Sequence, residues 1–421
     1  MEVLRSLAAL APLRDRVEAL VLASRAPSLF GSPGWLERRV AQEELPAPGA
    51  EPRLLVALDG DAPVGFLPLR RVPGKVPGIG ADRIEFLTPH DVERPGMACR
   101  PEDEERCARA FLGHLAARER GVGLVELVQQ EDRSPLALAA AELPGWRLRR
   151  WPNPATALLG LEWPTSAAWF RSLSRRFRRS VRLGLNRLLA AGRAELVSSW
   201  DPAATARLFD LHLGVEARSW KAGTGTGLAR SPVRVAFFRS LLAGAGPFRA
   251  NVRLLLLDGV PVASELNGEF AGSWYGFETT HDEAYRDVSP GHVLFVASVV
   301  DAYARGLREM NCLNGHSEIK RRYGAAIIDT AAVQLFRRGS ALDLKARAGE
   351  ALRGLGPVRR ASQGTVDLHR DAPDPAAGAE RPDRSAVARE SAELLRACGA
   401  ALERRPLEDL RAIVLAPEAD G

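Results

Sequence analysis

The stretch of sequence that decides the fold is residues 252–279, VRLLLLDGVPVASELNGEFAGSWYGFET. Three runs rich in apolar residues are separated by Asp258-Gly259 and by Ala271-Gly272. Apolar runs of this length are typical of buried or half-buried strands, and Asp-Gly between two of them is a strong hairpin signal. The stretch therefore predicts three consecutive strands joined by tight turns.

The segment after these strands predicts a turn that leads into a helix. HDEAYRDVSPG (281–291) precedes HVLFVASVVDAYARG (292–306), with Ser289 as N-cap and Pro290 at the first helical position. A helix N-terminus attracts anions through its unpaired amides and its dipole. The pattern has two interpretations: an ordinary capped helix, or a phosphate-binding point at which Arg286 pairs with a pyrophosphate.

The rest of the chain repeats this order of elements. The first half reads as helix, hairpin at Asp59-Gly60-Asp61, strand, helix, strand, helix and strand, and the second half follows the same order. The sequence therefore predicts a mixed α/β (α+β) fold of two tandem units with flanking helices, followed by a helical and partly disordered C-terminal tail. The predicted boundaries are 1–154, 155–340 and 341–421.

Composition limits the class of protein. The chain has 421 residues, of which 46% are hydrophobic and 26% charged, as in globular proteins. No apolar run approaches the ~20 residues of a membrane span, and charged residues interrupt the N-terminal helix where a signal peptide would be apolar. Four scattered cysteines and seven dispersed histidines predict a reducing, cytoplasmic location and no metal site.

Lysine is rare in this chain. Only four of the 58 basic residues are lysines, namely Lys75, Lys221, Lys320 and Lys345. Arginine and lysine are not interchangeable, because the ammonium is a compact point charge and the guanidinium a planar fork. Each lysine is therefore a candidate site at which a compact cation is needed. The presence of lysine at these four positions is also compatible with chance.

Three segments resemble a known family. They are FDLHLGVEARSWKAGTGTGL (209–228), ETTHDEAYRDVSPGHVLF (278–295) and NGHSEIKRRYGA (314–325). With SLFGSPGWLERR (28–39), they resemble the Gcn5-related N-acetyltransferase (GNAT) superfamily, in the branch of the CelD-like and BioF2-like acetyltransferase domains. This branch is related to the Fem aminoacyltransferases. The resemblance spans residues 28–338.

The resemblance implies two GNAT-like halves, with the acyl donor bound to the second. In the superfamily the donor turn reads Q/R-x-x-G-x-G/A; Arg286 fits it, and Ser289 replaces the first glycine. The implied donor is acetyl-CoA or another acyl-CoA, held by Arg286, Ser289, Gly291 and His292. Aminoacyl-tRNA and acyl-carrier protein are the alternative donors. No helical hairpin like that beside tRNA in many Fem enzymes is evident, which counts against tRNA.

Candidate catalytic residues follow from the chemistry of acyl transfer. Lys320 resembles a lysine that Fem-like enzymes place near the reacting carbonyl, where it would stabilise an oxyanion; a solvated basic turn is the alternative. The base is Glu265 or, second, His316, with a water relay as a further option. Tyr285 or Tyr323 would protonate the leaving thiolate. No Ser-His-Asp or Cys-His arrangement is visible, which predicts direct attack.

Other residues are candidates for binding the acceptor. Trp220 and Lys221 precede a Gly-Thr-Gly-Thr-Gly run, which predicts a loop that holds an anionic group. Asn267 lies two residues from Glu265 and therefore on the same strand face, and Glu278 ends the neighbouring strand.

A strongly basic helix is predicted over residues 170–189. Eight arginines and no acidic residue occur between Pro164 and Ala194. The helix carries either a solvated face or a docking surface for a phosphate-bearing acceptor or an anionic membrane. No nucleic-acid-binding module accompanies it, so no DNA partner is predicted.

These observations predict an N- or O-acyltransferase. The acceptor would be an amine or hydroxyl of a small molecule, a sugar or an envelope precursor. Two rivals remain: a Fem-like transferase that uses aminoacyl-tRNA, and a non-catalytic GNAT-like scaffold in polysaccharide or envelope assembly.

Overall fold

The computed structural model describes residues 1–42, 49–74, 81–88, 92–244, 246–315, 318–354 and 383–414. Within them the chain forms two compact units. The first comprises Met1–Thr156 and the described residues of Ile328–Gly364; the second comprises Ala157–Ile327 and the described residues from 383 onward. The predicted disorder of residues 363–384 falls almost wholly outside the described residues.

The first unit begins with helices and continues with a β-meander. Its strands follow the order β1-β2-β3-β4-β6-β13, with β5 beside β3. The hairpin predicted at Asp59-Gly60-Asp61 is confirmed, because Asp59 pairs with Ala62 across the turn. The elements are β1 (Glu2–Leu4), α1 (Arg14–Ala23), α2 (Pro33–Gln42), β2 (Glu51–Asp59), β3 (Ala62–Val72), β4 (Asp82–Phe86), β5 (Ala98–Cys99), α3 (Glu104–Arg118), β6 (Val122–Gln130), α4 (Pro135–Ala141), β7 (Trp146–Gly160), β13 (Ala326–Arg337) and α12 (Ala341–Gly354).

The second unit repeats the meander, the helix and the parallel strand. Its strands follow the order β12-β11-β10-β9-β8-β14. The elements are α5 (Ser166–Ser172), α6 (Arg175–Ala191), β8 (Ala194–Ser199), α7 (Pro202–Glu216), α8 (Trp220–Thr224), α9 (Pro232–Leu242), β9 (Arg249–Leu257), β10 (Val260–Phe270), β11 (Ser273–His281), α10 (Pro290–Ala304), β12 (Glu309–Asn314), α11 (Glu318–Arg322), α13 (Arg384–Cys398), β14 (Glu403–Pro406) and α14 (Arg411–Val414).

The three strands predicted over 252–279 are confirmed as β9, β10 and β11. Both connecting turns have positive φ at both residues: 51° and 79° at Asp258-Gly259, and 50° and 79° at Ala271-Gly272. That is the geometry of a type I′ turn, whose twist matches that of the strands it joins. The mixed α/β fold is likewise confirmed.

Two predictions about individual elements were wrong. The single helix predicted over 170–189 is two helices, because the chain is extended at Leu173 and Ser174, and Ser174 caps α6 by accepting the amide of Phe177 at 3.3 Å. The patterns WRLRRW (146–151) and ALLGLE (157–162) predict two separate strands, one ending the first half and one beginning the second, but the structure joins them in one strand, β7 (Trp146–Gly160). Its last residues, from Ala157 onward, belong to the second unit.

Each unit has its own apolar core. That of the first lies between the meander and α3, around Phe111 and Val125. That of the second lies between α6, α10 and the sheet, and includes Leu407, Leu410 and Val414 from the end of the chain. Residues predicted as one tail, 341–421, are therefore divided: α12 belongs to the first unit, while α13, β14 and α14 belong to the second.

Candidate active site

A cavity of about 680 Å³ lies within the second unit. It opens where β11 and β12 part: the two strands pair in parallel only from Ser273 to Tyr275, although β11 continues to His281. β12 turns sharply at Leu313, whose φ is +57°. Side chains from β10, β11 and β12 and from the first turns of α10 and α11 line the space. Its volume is in the range of small-molecule sites.

Glu265 and Asn267 face this cavity from β10, as their spacing predicts. Both are buried, each 2% exposed. Glu265 accepts hydrogen bonds from the Ser298 hydroxyl and, at 3.3 Å, from the Asn267 amide. Burial raises the pKa of the Glu265 carboxyl, against the opposing influence of Arg253. A carboxyl whose pKa is moved towards neutrality is suited to accept and return a proton.

A chain of polar contacts, buried at its inner end, runs from Glu265 through Ser298 and Arg253 to Asp301. The Arg253 guanidinium donates to the Ser298 hydroxyl at 2.7 Å and also to Asp301. Arg405 of β14 donates to the other oxygen of Asp301 at 2.5 Å. The charge of Arg253 is thus shared between Asp301 and the hydroxyl that contacts Glu265. Because Ser298 is neutral, Glu265 has no direct ion-pair partner in the described part of the chain.

His292 and Tyr323 form a second polar pair on the cavity wall. The His292 Nδ1 lies 2.7 Å from the Tyr323 hydroxyl. The rings of Phe177 and Phe295 enclose the pair, with Phe295 stacked on Tyr323 at 3.8 Å between centroids. Burial lowers the pKa of His292 and raises that of Tyr323 well above its usual value. At neutral pH the imidazole is therefore uncharged and the phenol keeps its proton.

The start of α10 offers fewer free amides than the sequence predicts. Ser289 adopts a left-handed conformation with φ +50°, and its side chain makes no capping hydrogen bond. Its carbonyl instead accepts the amides of His292 at 3.1 Å and Val293 at 3.5 Å. Pro290 has no amide proton. In the described part of the chain this leaves Gly291 as the one position of the first turn whose amide has no backbone acceptor.

The electrostatics of this turn still favour an anion. No acidic residue lies in the first turn of α10. Arg286 lines the cavity with a side chain that is 67% exposed, and its guanidinium lies 4.0 Å from the carboxylate of the still more exposed Asp287. Gly184 of α6 supports the turn from below, because a Cβ at that position would lie 2.7 Å from the carbonyl oxygen of Val288. Only glycine allows this approach.

Lys320 lines the cavity from α11, but its ammonium group is engaged with the backbone. It donates to the carbonyl oxygens of Leu313 at 3.1 Å and Asn314 at 2.7 Å. These bonds hold the turned end of β12 in place. The positive charge of Lys320 therefore lies on the cavity wall, while its ammonium group donates two hydrogen bonds to the end of β12.

Lys221 and Glu278 do not face the cavity. They form an ion pair at 2.6 Å, and Arg234 donates to the other Glu278 oxygen at 2.9 Å. Burial acts to raise the pKa of the Glu278 carboxyl, but the ion pairs with Lys221 and Arg234 together outweigh it and lower this pKa. Of the predicted acceptor-binding residues, Trp220 and Asn267 line the cavity.

Two further predicted residues lie elsewhere. Tyr285 packs beside the core of the second unit, under the guanidinium of Arg384, and is not among the residues that line the cavity. Burial raises the pKa of its phenol. His316 lies outside the described residues.

Sequence reasoning missed the residues that support the site from other elements. Ser298 is a polar residue within the apolar run VLFVASVV of α10, and Gly184 interrupts the pattern of α6. A glycine inside a helical pattern often marks a close backbone approach, so this signal was available. The contact of Phe177 with His292 has no local signal in the sequence.

Comparison with known proteins gives the family of this segment. Residues 175–321 match the family model described as an acetyltransferase (GNAT) domain. The matched segment is similar to GNAT domains. It contains Glu265, Ser298, His292 and Lys320, and Tyr323 lies two residues beyond its end. The predicted resemblance to the GNAT superfamily is thereby confirmed for this segment, whereas the CelD-like and BioF2-like branch stays a prediction.

Several solved structures are similar to this chain at low sequence identity, and one of them reaches a TM-score of 0.50. A protein of unknown function from Bacteroides thetaiotaomicron VPI-5482 is 13% identical, with a TM-score of 0.50, over 80% of this chain and 99% of that one. A tandem GNAT protein from the clavulanic acid biosynthesis pathway is 16% identical (TM-score 0.43; 79% and 97% covered), and FemX is 14% identical (TM-score 0.45; 79% and 97% covered). No curated protein matches the sequence.

Two kinds of feature are absent from the described residues. None of the helices in these residues has the length and hydropathy needed to span a bilayer. No group of three or more His, Cys, Asp or Glu side chains in the described ranges is arranged to hold a metal ion.

Proposed function

We propose that the second unit transfers an acyl group, with acetyl as the first candidate, from an acyl-CoA to an amine or hydroxyl. The acceptor would belong to a small molecule, a sugar or an envelope precursor. One observation carries this proposal: the cavity at the start of α10 brings the buried Glu265 and the His292–Tyr323 pair to the same space. The GNAT domain supports the reaction class.

The start of α10 fits the anionic part of the donor. An acid-free first turn, the helix dipole and the Gly291 amide favour a pyrophosphate, and the exposed Arg286 adds a full positive charge. Ser289 stands where the family has glycine, and it adopts the left-handed conformation that glycine reaches without strain. The substitution therefore preserves the course of the turn.

The two polar groups of the cavity supply the proton transfers. Glu265 takes the proton that the acceptor amine or hydroxyl loses as it bonds to the acyl carbon. Tyr323 gives its proton to the sulfur as the carbon–sulfur bond breaks, and His292, at 2.7 Å, stabilises the phenolate that remains. Lys320 contributes positive charge to the cavity wall. Solvent then exchanges the protons of Glu265 and Tyr323.

Calorimetry with acetyl-CoA tests the donor. We expect binding, and we expect Arg286→Ala to weaken it about tenfold, because one charge-assisted contact to phosphate is removed. Arg193→Ala is the matched control, since Arg193 is 84% exposed in the same unit and lies outside the cavity lining. Absence of heat with acetyl-CoA and with longer acyl-CoAs would overturn the proposal.

A further inference from the structure

Four exposed arginines at the end of α5 and the start of α6 form no ion pair within the described residues. Arg171, Arg175, Arg176 and Arg179 are exposed, and no carboxylate of the described residues pairs with them. Other arginines of the same segment are used by the structure: Arg182 donates to the Val414 carbonyl at 2.6 Å, and Arg187 to that of Asp287 at 2.9 Å. These four residues, Arg171 of α5 and Arg175, Arg176 and Arg179 of α6, are termed the "arginine face".

The arginine face opposes helix stability. Arg175, Arg176 and Arg179 lie in the first five positions of α6, where the helix dipole disfavours positive charge. Arg179 is three and four residues from the other two, so like charges are neighbours on the helix surface. No acidic residue is present in α6 to offset either effect. An arrangement that weakens the free helix is explained if an anion outside the chain neutralises it.

The opposite side of the same helix contacts the active site. Phe177, buried between Arg176 and Arg178 in sequence, packs edge-on against His292 at 5.4 Å and Tyr323 at 5.2 Å between ring centroids. α6 is thus the element between the arginine face and the reacting groups. Whatever binds the arginine face lies one helix diameter from the His292–Tyr323 pair.

Exposed apolar side chains accompany the charge. Leu183 is 48% exposed and lies four residues after Arg179, hence on the same face. Ile319, on the cavity wall, is 37% exposed beside the exposed Arg322. Basic side chains attract anionic lipids, and exposed apolar side chains beside them add buried area at a membrane surface.

We propose that the arginine face and Leu183 dock the second unit on an anionic lipid bilayer. Clusters of four or more basic residues on a helix bind such surfaces, and each charge contributes separately. The exposed residues of α6 include no aromatic side chain on which a nucleic-acid base would stack, which favours lipid over single-stranded RNA. The inference about the acceptor rests on the proposed acyl transfer. If that function is right, membrane docking means that the acceptor is an amine or hydroxyl of a molecule in the membrane.

Vesicle co-sedimentation of the full chain tests this surface. We expect binding to vesicles of phosphatidylcholine and phosphatidylglycerol (about 7:3) and none to phosphatidylcholine alone, with loss of binding in high salt. The triple variant R175Q/R176Q/R179Q should bind at least about tenfold more weakly. Its melting temperature should equal or exceed that of the wild type, because repulsion at the helix start is relieved. Lost binding is then distinct from unfolding.

The matched control removes equal charge from the first unit. R100Q/R118Q/R133Q changes three exposed arginines without described side-chain partners and should bind vesicles like the wild type. Three results would overturn the inference. They are an equal loss of vesicle binding in both triple variants, retained vesicle binding in R175Q/R176Q/R179Q, and stronger binding of the wild type to an RNA of equal charge than to vesicles. Acetyl-CoA calorimetry on the same samples separates the two hypotheses. If the protein binds vesicles but not acetyl-CoA, membrane docking is supported and the proposed acyl transfer is rejected. If it binds acetyl-CoA but not vesicles, only membrane docking is rejected.

Discussion

The helices α3 and α10 occupy the same place in the element order of the two units, yet their first turns have opposite electrostatics. α3 is preceded by Glu102 and Asp103 and begins with Glu104 and Glu105. α10 begins with Pro290-Gly291-His292 and has no acid in its first turn. Acidic residues at a helix N-terminus stabilise the helix and repel an anionic ligand. The acidic residues at the start of α3 therefore stabilise that helix, whereas the acid-free start of α10 is suited to a phosphate-bearing donor.

The buried carboxylates Glu85 and Glu265 also differ, in the charge of the groups that donate hydrogen bonds to them. In the first unit Glu85 accepts two hydrogen bonds from Arg70, at 2.8 and 2.5 Å, and one from Arg83 at 2.8 Å. In the second unit the hydrogen-bond donors to Glu265 are the neutral groups of Ser298 and Asn267. Glu85 is a structural charge held by cations, whereas Glu265 is left able to exchange a proton.

The largest effect is expected from Glu265→Gln. Transfer of the acyl group, measured as release of free coenzyme A with an amine or hydroxyl acceptor, should fall by about 10²–10⁴, with acetyl-CoA binding unchanged. The wild-type rate should rise with pH through the pKa of Glu265, because the base acts as the carboxylate and burial raises this pKa above its usual value. The glutamine variant should lack that acidic limb.

Glu85→Gln is the control in the other unit. It should leave the transfer rate unchanged and lower the free energy of unfolding by about 3–5 kcal/mol, since Arg70 keeps its buried charge and loses its carboxylate. If Glu265→Gln instead kept both rate and pH profile, the base would have to be another group and the contrast between the carboxylates would be only structural.

A smaller effect is expected from Gly184→Ala. The new methyl group would lie 2.7 Å from the Val288 carbonyl oxygen, so the turn before α10 must move. We expect acetyl-CoA affinity to fall about thirtyfold, equivalent to ~2 kcal/mol, as measured by calorimetry. Gly113→Ala in α3 is the matched control: open space surrounds that position, and the change should stabilise the protein by about 0.5–1 kcal/mol. If both variants bound acetyl-CoA with equal affinity, the contact between Gly184 of α6 and Val288 would have no influence on donor binding.

The smallest effect is expected from giving α10 the acidic first turn of α3. Gly291→Asp should weaken acetyl-CoA binding about tenfold, because a carboxylate opposes the donor phosphates. The side chain has room, since the nearest atom to a Cβ there is the His281 Nδ1 at 3.9 Å. Gly291→Asn has the same size without the charge and should bind acetyl-CoA nearly as well as the wild type. Equal weakening by both would show that space, not charge, limits this turn.

The site was predictable where its geometry is local. The strand period places Glu265 and Asn267 on one face, and the Ser-Pro-Gly pattern predicts the start of α10 beside Arg286, as the structure has them. Lys221 and Lys320 show where local reasoning stops. Their scarcity marked them as special, yet each is held by a partner, Glu278 for one and the turned end of β12 for the other.

The sequence by itself determined the strands, turns and helix starts, because hydrophobic period and turn chemistry depend on neighbours a few residues apart. It also carried the family resemblance. Only the tertiary structure decided that Tyr323 meets His292, that Gly184 lies under Val288, and that the last strand belongs to the second unit. These contacts join residues 31 to about 200 positions apart, and a periodic pattern records that a face is buried without recording which element buries it.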